Sequence, residues 1–258
     1  GQSGTSVYEG DWPEYHGDHF AQRYSPLDQI NAENVGEIEI AWQFSTQNFG
    51  PSTDFNNPST PIEINGVLYA NIGSTRNVVA LDATTGQVLW LWRPQEGERF
   101  DEAPRKGAGR GVAYWTDGDK KRVIDVTPGY HLVSLDAETG VPDPEFGQGG
   151  IVDLFVGLRN ADDPRFPFPD IGLSAAPFVM NDVIVVGAPP EATAHLLPEV
   201  LDLAFASREP VVTDVASIKG VIVEAAGTDY PRFVPGHPIA GSENSGVEAA
   251  YPEHLDGR

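Results

Sequence analysis

The chain has 258 residues and a formal net charge of −22, from 16 Lys and Arg against 38 Asp and Glu. A surface this acidic repels phosphate backbones, which excludes nucleic acid as a partner, and the absence of cysteine excludes disulfides, thiol catalysis and cysteine-ligated metals. Hydrophobic residues make up 40% of the chain, so it is not a disordered segment. No apolar run has the length of a membrane span, and the N-terminus lacks the basic-then-apolar pattern of a signal peptide. The compartment stays open on these grounds.

Taken in chain order, residues 1–186 read as β throughout. Short apolar runs recur at Pro61–Ile64, Val67–Ala70, Val78–Leu81, Val123–Val126 and Leu132–Leu135. Turn signals separate or follow them: Asn65-Gly66, Thr85-Gly86, Asp117-Gly118, Pro128-Gly129 and Thr139-Gly140. No sustained helical period interrupts the series. Antiparallel sandwich, barrel and propeller all fit such a pattern.

A repeat chooses among them. Ala80-Leu81-Asp82-Ala83-Thr84-Thr85-Gly86 is followed by Trp90, and Ser134-Leu135-Asp136-Ala137-Glu138-Thr139-Gly140 repeats it 54 residues later. Each copy reads as a strand, a tight turn and a second strand. The Asp accepts from the N–H groups of the turn, and the Gly takes a positive φ. Two unrelated hairpins would give the same residues, but a fixed repeat is the mark of a blade array. At ~40–50 residues per blade the segment would hold about four blades.

Composition then shifts. All five Trp lie between Trp12 and Trp115, and beyond residue 186 the aromatics are Phe205, Tyr230, Phe233 and Tyr251. An apolar strand, Asp182–Gly187, leads to Pro189-Pro190-Glu191, which suits a helix start. Leu196, Leu197, Val200, Leu201, Leu203 and Ala204 are spaced for one buried helix face. Strands are expected at Pro210–Val215 and Arg232–Pro235, with a short helix at Ile218–Ala226 between them. Strand-helix-strand-helix-strand predicts a parallel sheet with right-handed crossovers.

Longer motifs bring two family resemblances. Asp11-Trp12-Pro13-Glu14-Tyr15-His16-Gly17-Asp18, Arg23–Asn31, Ala41-Trp42, Ser59-Thr60-Pro61, Arg110-Gly111-Val112-Ala113-Tyr114-Trp115 and Thr127-Pro128-Gly129-Tyr130 occur in that order. Together with the Asp-x-x-Thr-Gly repeat they resemble the N-terminal part of the pyrroloquinoline-quinone-dependent dehydrogenases, eight-bladed quinoproteins that oxidise alcohols or sugars. The resemblance implies a tryptophan-docking contact between neighbouring blades. Where the second copy would carry its Trp, this chain has Pro142 to Phe146. It also implies Arg110 as a ligand of the quinone cofactor, whose carboxylates and carbonyls suit a guanidinium fork. An arginine on a blade rim paired with an acid is the alternative for Arg110. Gly107-Ala108-Gly109 stands where some members carry a vicinal cysteine pair, and Asn57 or Pro58 where the family has a glutamate. No equivalent of the family's calcium ligands or catalytic aspartate is expected in residues 187–258, and no metal site is assigned.

The second resemblance rests on Gly187–Thr193, Val212–Lys219 and Phe233-Val234-Pro235-Gly236-His237-Pro238-Ile239-Ala240-Gly241-Ser242-Glu243-Asn244-Ser245-Gly246. This text is similar to the nucleotide-binding domain of prephenate dehydrogenase, the NAD(P)-dependent enzyme of tyrosine biosynthesis. It implies His237 as acceptor of the substrate hydroxyl proton, Ser217 as its support, Ser242 near the substrate, and Ala188 and Pro189 on the NAD(P) side. An imidazole titrates near neutrality and suits such a proton transfer. No Gly-x-Gly-x-x-Gly turn precedes these motifs.

The expected fold is therefore mainly β: a partial quinoprotein-like β-propeller over 1–186, then half of a Rossmann-like parallel sheet over 187–258. The expected function is an oxidoreductase-derived chimera of two incomplete domains, inactive as it stands. A prephenate dehydrogenase fragment and a non-catalytic β-rich binding protein are the alternatives. Expected partners are a small-molecule substrate, if any, and a second copy through open sheet edges. The quinoprotein family is usually exported to the periplasm and the prephenate dehydrogenase family is cytoplasmic, so the resemblances leave the location undecided.

Overall fold

The computed structural model describes residues 10–18, 23–53, 56–158, most of 161–186, and the two short strands Val212–Asp214 and Phe233–Pro235. The chain divides into two compact units, Gly1–Gly187 and Ala188–Arg258.

The first unit is built from antiparallel sheets. Strands β1 (Ile62–Ile64), β2 (Val67–Ile72), β3 (Asn77–Asp82) and β4 (Val88–Trp92) pair in sequence order. A one-turn helix, α1 (Glu98–Asp101), follows. Strands β5 (Ala113–Thr116), β6 (Lys121–Val126), β7 (His131–Asp136) and β8 (Ile151–Asp153) form a second sheet with the same up-and-down order. Strands β9 (Phe178–Met180) and β10 (Val183–Val185) form a hairpin. Of the blades expected, the described residues thus form two complete ones and a hairpin of the next. Residues 23–53 form no strand and carry one 3-10 turn, Val35–Glu37.

The turn chemistry explains the hairpins. Asn65 and Gly66 both take positive φ (54° and 79°), as a two-residue hairpin that follows the strand twist requires. In the repeat, Asp82 Oδ1 accepts from Thr84 N at 3.0 Å, Thr85 N at 2.7 Å and Thr85 Oγ1 at 2.8 Å. Asp136 Oδ1 accepts from Glu138 N at 3.2 Å, Thr139 N at 2.8 Å and Thr139 Oγ1 at 2.7 Å. These bonds hold the exposed Asp82 carboxyl below its usual range.

Cores lie between layers. Ile62, Tyr69, Val78 and Ala80 of the first sheet pack on Val123 and Leu135 of the second. The other face of the second sheet, with Ile124, Val126 and Leu132, packs on Val179 and Ile184 of the hairpin. The outer face of the first sheet, with Ala70, Ile72, Val79 and Leu81, is covered by Trp42, Phe44 and Phe49.

Tryptophans connect the layers in one direction. Trp42 Nε1 donates to Ala83 O at 3.0 Å, and Trp90 Nε1 donates to Ala137 O at 2.9 Å. Each indole thus docks on the turn of the following sheet. Residues Pro142 to Phe146 leave the Trp90 contact untouched, because the second turn receives its indole from the first copy. Pro142 instead makes a bridge to Leu135, and Phe146 packs on the core between second sheet and hairpin.

In the second unit, β11 (Val212–Asp214) pairs in parallel with β12 (Phe233–Pro235), Val212 opposite Phe233. Both lie inside the expected strands and run in the expected direction, whereas the first strand expected in that sheet, at Asp182–Gly187, pairs antiparallel with β9 instead, because the adjoining Phe178–Met180 strand closes a hairpin on it. The expected helices lie outside the described residues. Among the described residues, no helix is long and apolar enough to cross a membrane.

Candidate functional site

The β2–β3 and β6–β7 turns leave the two sheets at the same end as the β4–β5 connection, residues 93–112. Arg110 closes that connection just before β5. Its N–H donates to Ser174 O at 2.8 Å, and its carbonyl accepts from Thr60 N at 2.8 Å. The main chain of Arg110 is therefore held by segments from either side.

Arg110 lines a cleft of about 330 Å³. Tyr15 and His16 form one wall, Tyr114, Trp115 and Thr116 a second, and Ala175–Val179 a third. The Tyr15 and His16 rings meet edge to face at 4.5 Å. Arg23 Nε donates to His16 Nδ1 at 3.2 Å. Arg122 lies over the Trp115 ring at 5.0 Å. Arg110 itself is exposed and forms no ion pair with a described residue.

A second cluster shapes the neighbouring turn. Glu96 Oε1 accepts from Thr127 Oγ1 at 2.5 Å and meets His131 Nδ1 at 2.6 Å, while Oε2 accepts from Gly129 N at 2.9 Å. Burial pushes the Glu96 carboxyl up, but these three bonds outweigh it and hold it below the usual carboxylate range. Arg99 chelates Asp153 with two bonds of 2.6 Å and donates to Gly129 O at 2.6 Å. The Arg99 bonds hold the Asp153 carboxyl below its usual range.

The donor set around Arg110 does not complete a site for the tricarboxylate quinone that the resemblance implies. Arg110 is the one Arg or Lys among the described residues that line the cleft, and Glu14 and Asp18 line it as well. Three carboxylates brought there would meet a single guanidinium among the described lining residues. Among the described residues, no three His, Asp or Glu side chains cluster so as to hold a metal ion.

Comparison with known proteins decides the family. Residues 12–196, well over half of the chain, match the glucose/ethanol/alcohol dehydrogenase β-propeller domain. The chain belongs to this family. Residues 174–258 also match the prephenate dehydrogenase nucleotide-binding domain, so the two matches overlap. The dehydrogenase subunit of the quinone-dependent alcohol dehydrogenase of Gluconobacter oxydans (strain 621H) is 39% identical over 139 residues, 54% of this chain and 17% of that protein. The quinoprotein glucose dehydrogenase of Escherichia coli (strain K12) is 31% identical over 274 residues, 98% of this chain and 32% of that protein. Among solved structures, the quinohemoprotein alcohol dehydrogenase of Comamonas testosteroni superposes with a TM-score of 0.51 at 28% identity, over 70% of this chain and 24% of that one. The quinohemoprotein alcohol dehydrogenase ADHIIG of Pseudomonas putida HK5 gives 0.53 at 29% identity, over 71% and 23%. The chain thus spans between about a sixth and a third of these relatives.

Of the sequence-predicted site residues, Arg110 is placed in a cleft of this quinoprotein propeller. His237, Ser217, Ser242, Ala188 and Pro189 lie outside the described residues. Sequence reasoning gave no role to Tyr15 and His16, although both stand in a quoted motif. It also missed Glu96, one of four acids in a Pro- and Gly-containing connection, with no pattern to single it out.

Proposed function

We propose that the chain is a propeller segment of a quinone-dependent alcohol or sugar dehydrogenase, and that it catalyses no oxidation by itself. The exposed Arg110 guanidinium in an aromatic-walled cleft carries the reading. It offers one anion anchor, in the position that the Arg-Gly-x-Ala-Tyr-Trp motif implies. A binding site encloses most of its ligand between several groups, and one guanidinium is one wall of such a site. Reconstitution with pyrroloquinoline quinone and calcium is expected to give no dye-linked oxidation of ethanol, glycerol or glucose. Turnover that disappears in Arg110→Ala would overturn the inactivity and leave an active quinoprotein.

The match of residues 174–258 favours a second reading for the C-terminal part, an NAD(P)-linked prephenate dehydrogenase segment with His237 as proton acceptor. The parallel β11–β12 pair supports it, because the Asp-Val-x-Ser and Gly-His-Pro texts follow these two strands. Prephenate with NAD(P) is expected to yield no reduced cofactor. A signal lost in His237→Asn would make this the working half of the chain.

A further inference from the structure

The segment around Arg110 has little regular structure, yet Ala108 and Val112 on it are 1% exposed. Arg76, in the β2–β3 turn and 2% exposed, holds it from outside. Arg76 Nε donates to Gly107 O at 3.0 Å and Nη2 to Arg105 O at 3.1 Å. Nη1 donates to Val126 O at 2.9 Å and to Leu173 O at 2.6 Å. All four acceptors are main-chain carbonyls, on three separate stretches of chain. A buried arginine ordinarily faces a carboxylate. Asp125 and Glu96 act on this guanidinium electrostatically, but its hydrogen bonds go to carbonyls, and its five donors point in fixed, different directions where a lysine has three on one atom.

The grip is close. A Cβ on Gly109 would lie 2.9 Å from Arg76 Nε, and Gly109 has φ +72°, so the chain crosses the guanidinium itself. The next residue is Arg110, whose N–H reaches Ser174 O at 2.8 Å. Leu173, beside Ser174, is one of the four carbonyls that Arg76 holds. Chain neighbours of both partners of the bond that joins two cleft walls are thus held by one side chain.

We propose that Arg76 is the positioning residue of the Arg110 cleft: its guanidinium sets the spacing between the 105–110 connection and the 173–174 segment, and so where Arg110 presents its charge. This rests on the reading of that cleft as the ligand site.

The test uses the full chain with Arg76→Gly and Arg76→Lys; glycine suits the φ of +54° at position 76. Amide exchange at Arg110 and Thr60 is expected to quicken about tenfold or more in both variants, because bonds from a charged donor are lost. Exchange at Gly86 and Gly140, under the docked indoles, is expected to stay at the wild-type rate. Added ethylguanidinium is expected to restore protection of Arg110 in Arg76→Gly and to change nothing in the wild type. Unchanged exchange at Arg110 and Thr60, equal quickening in both sheets, or quickening without rescue overturns the proposal. Should Arg76→Gly fail to fold, the contrast between sites in Arg76→Lys decides. None of these readouts involves the quinone, so a failed reconstitution and a failed clamp are distinguishable.

Discussion

Asn71 Nδ2 donates to Asp125 Oδ2 at 3.0 Å between the two sheets. Asp125 is fully enclosed, and burial raises its pKa to about 7 against the partial opposition of Arg76, the Val126 N–H and Asn71. The folded state therefore binds this proton more tightly than the unfolded chain, whose carboxyl titrates near 3.8. Stability is expected to be highest, as far as this group goes, below that value. It should decline as pH rises towards 7 and then level off. Melting curves of wild type and Asp125→Asn from pH 5 to 8 check this. The wild type should lose melting temperature relative to the variant as pH rises, and parallel curves would contradict it.

Trp90→Phe is expected to cost about 1 kcal/mol or more, for the lost indole bond to Ala137 O and the smaller ring. Gly140→Ala should cost at least as much for two separate reasons. Its φ is +70°, and a Cβ there would lie 2.5 Å from Trp90 Cε3. Trp42 and Gly86 stand in the same relation, with φ +71° and 2.5 Å. Urea denaturation of the two pairs should therefore give matching losses, and a large disparity would show that the docking contacts are not equivalent.

Glu96→Gln replaces a carboxylate that accepts from Thr127, Gly129 and His131. A loss of about 2 kcal/mol is expected, since charge-assisted bonds are traded for an amide that turns a donor towards donors. Because the Glu96 carboxyl is held below its usual range, its contribution is present above the unfolded pKa and fades as pH falls through the folded one. The variant should thus approach the wild type in acid, as chemical denaturation at several pH values would reveal.

Strand β4 closes the first sheet on one side, with Val88 41% and Leu89 52% exposed. An unpaired apolar edge recruits other strands, and a lysine there opposes it. Sedimentation velocity is expected to show concentration-dependent association that Leu89→Lys reduces. A wild type that stays monomeric over the same range would refute this.

The hairpins were legible because their signals are local. Asn65-Gly66 and the two Asp-x-x-Thr-Gly turns fix their own geometry with side chains a few positions away. The direction of tryptophan docking was not legible. Trp90 stands in the first copy of the repeat and completes the turn of the second, a relation that spacing within one copy does not contain. Arg110 reached the candidate site through its motif, whereas Arg76 carried no local signal. It stands in an ordinary polar turn, and its importance arises from four carbonyls up to 97 positions away. The parallel pairing of β11 and β12 followed from the alternation of strand and helix patterns, which encodes strand direction without any contact being known.

The one-way docking of indoles also fixes where this protein could be cut. The hydrogen-bonded sheet of the first blade starts at Ile62, but the turn at its far end is closed by Trp42, twenty positions earlier in the chain. A fragment begun at Ile62 would keep every strand pair of that sheet and still leave the carbonyl of Ala83 and the open side of Gly86 bare. The piece that can be excised whole is therefore offset from the piece that the strands outline. Both described blades borrow a closing side chain from the stretch before them, so a segment transplanted from here has to begin at the donor tryptophan and not at the first strand.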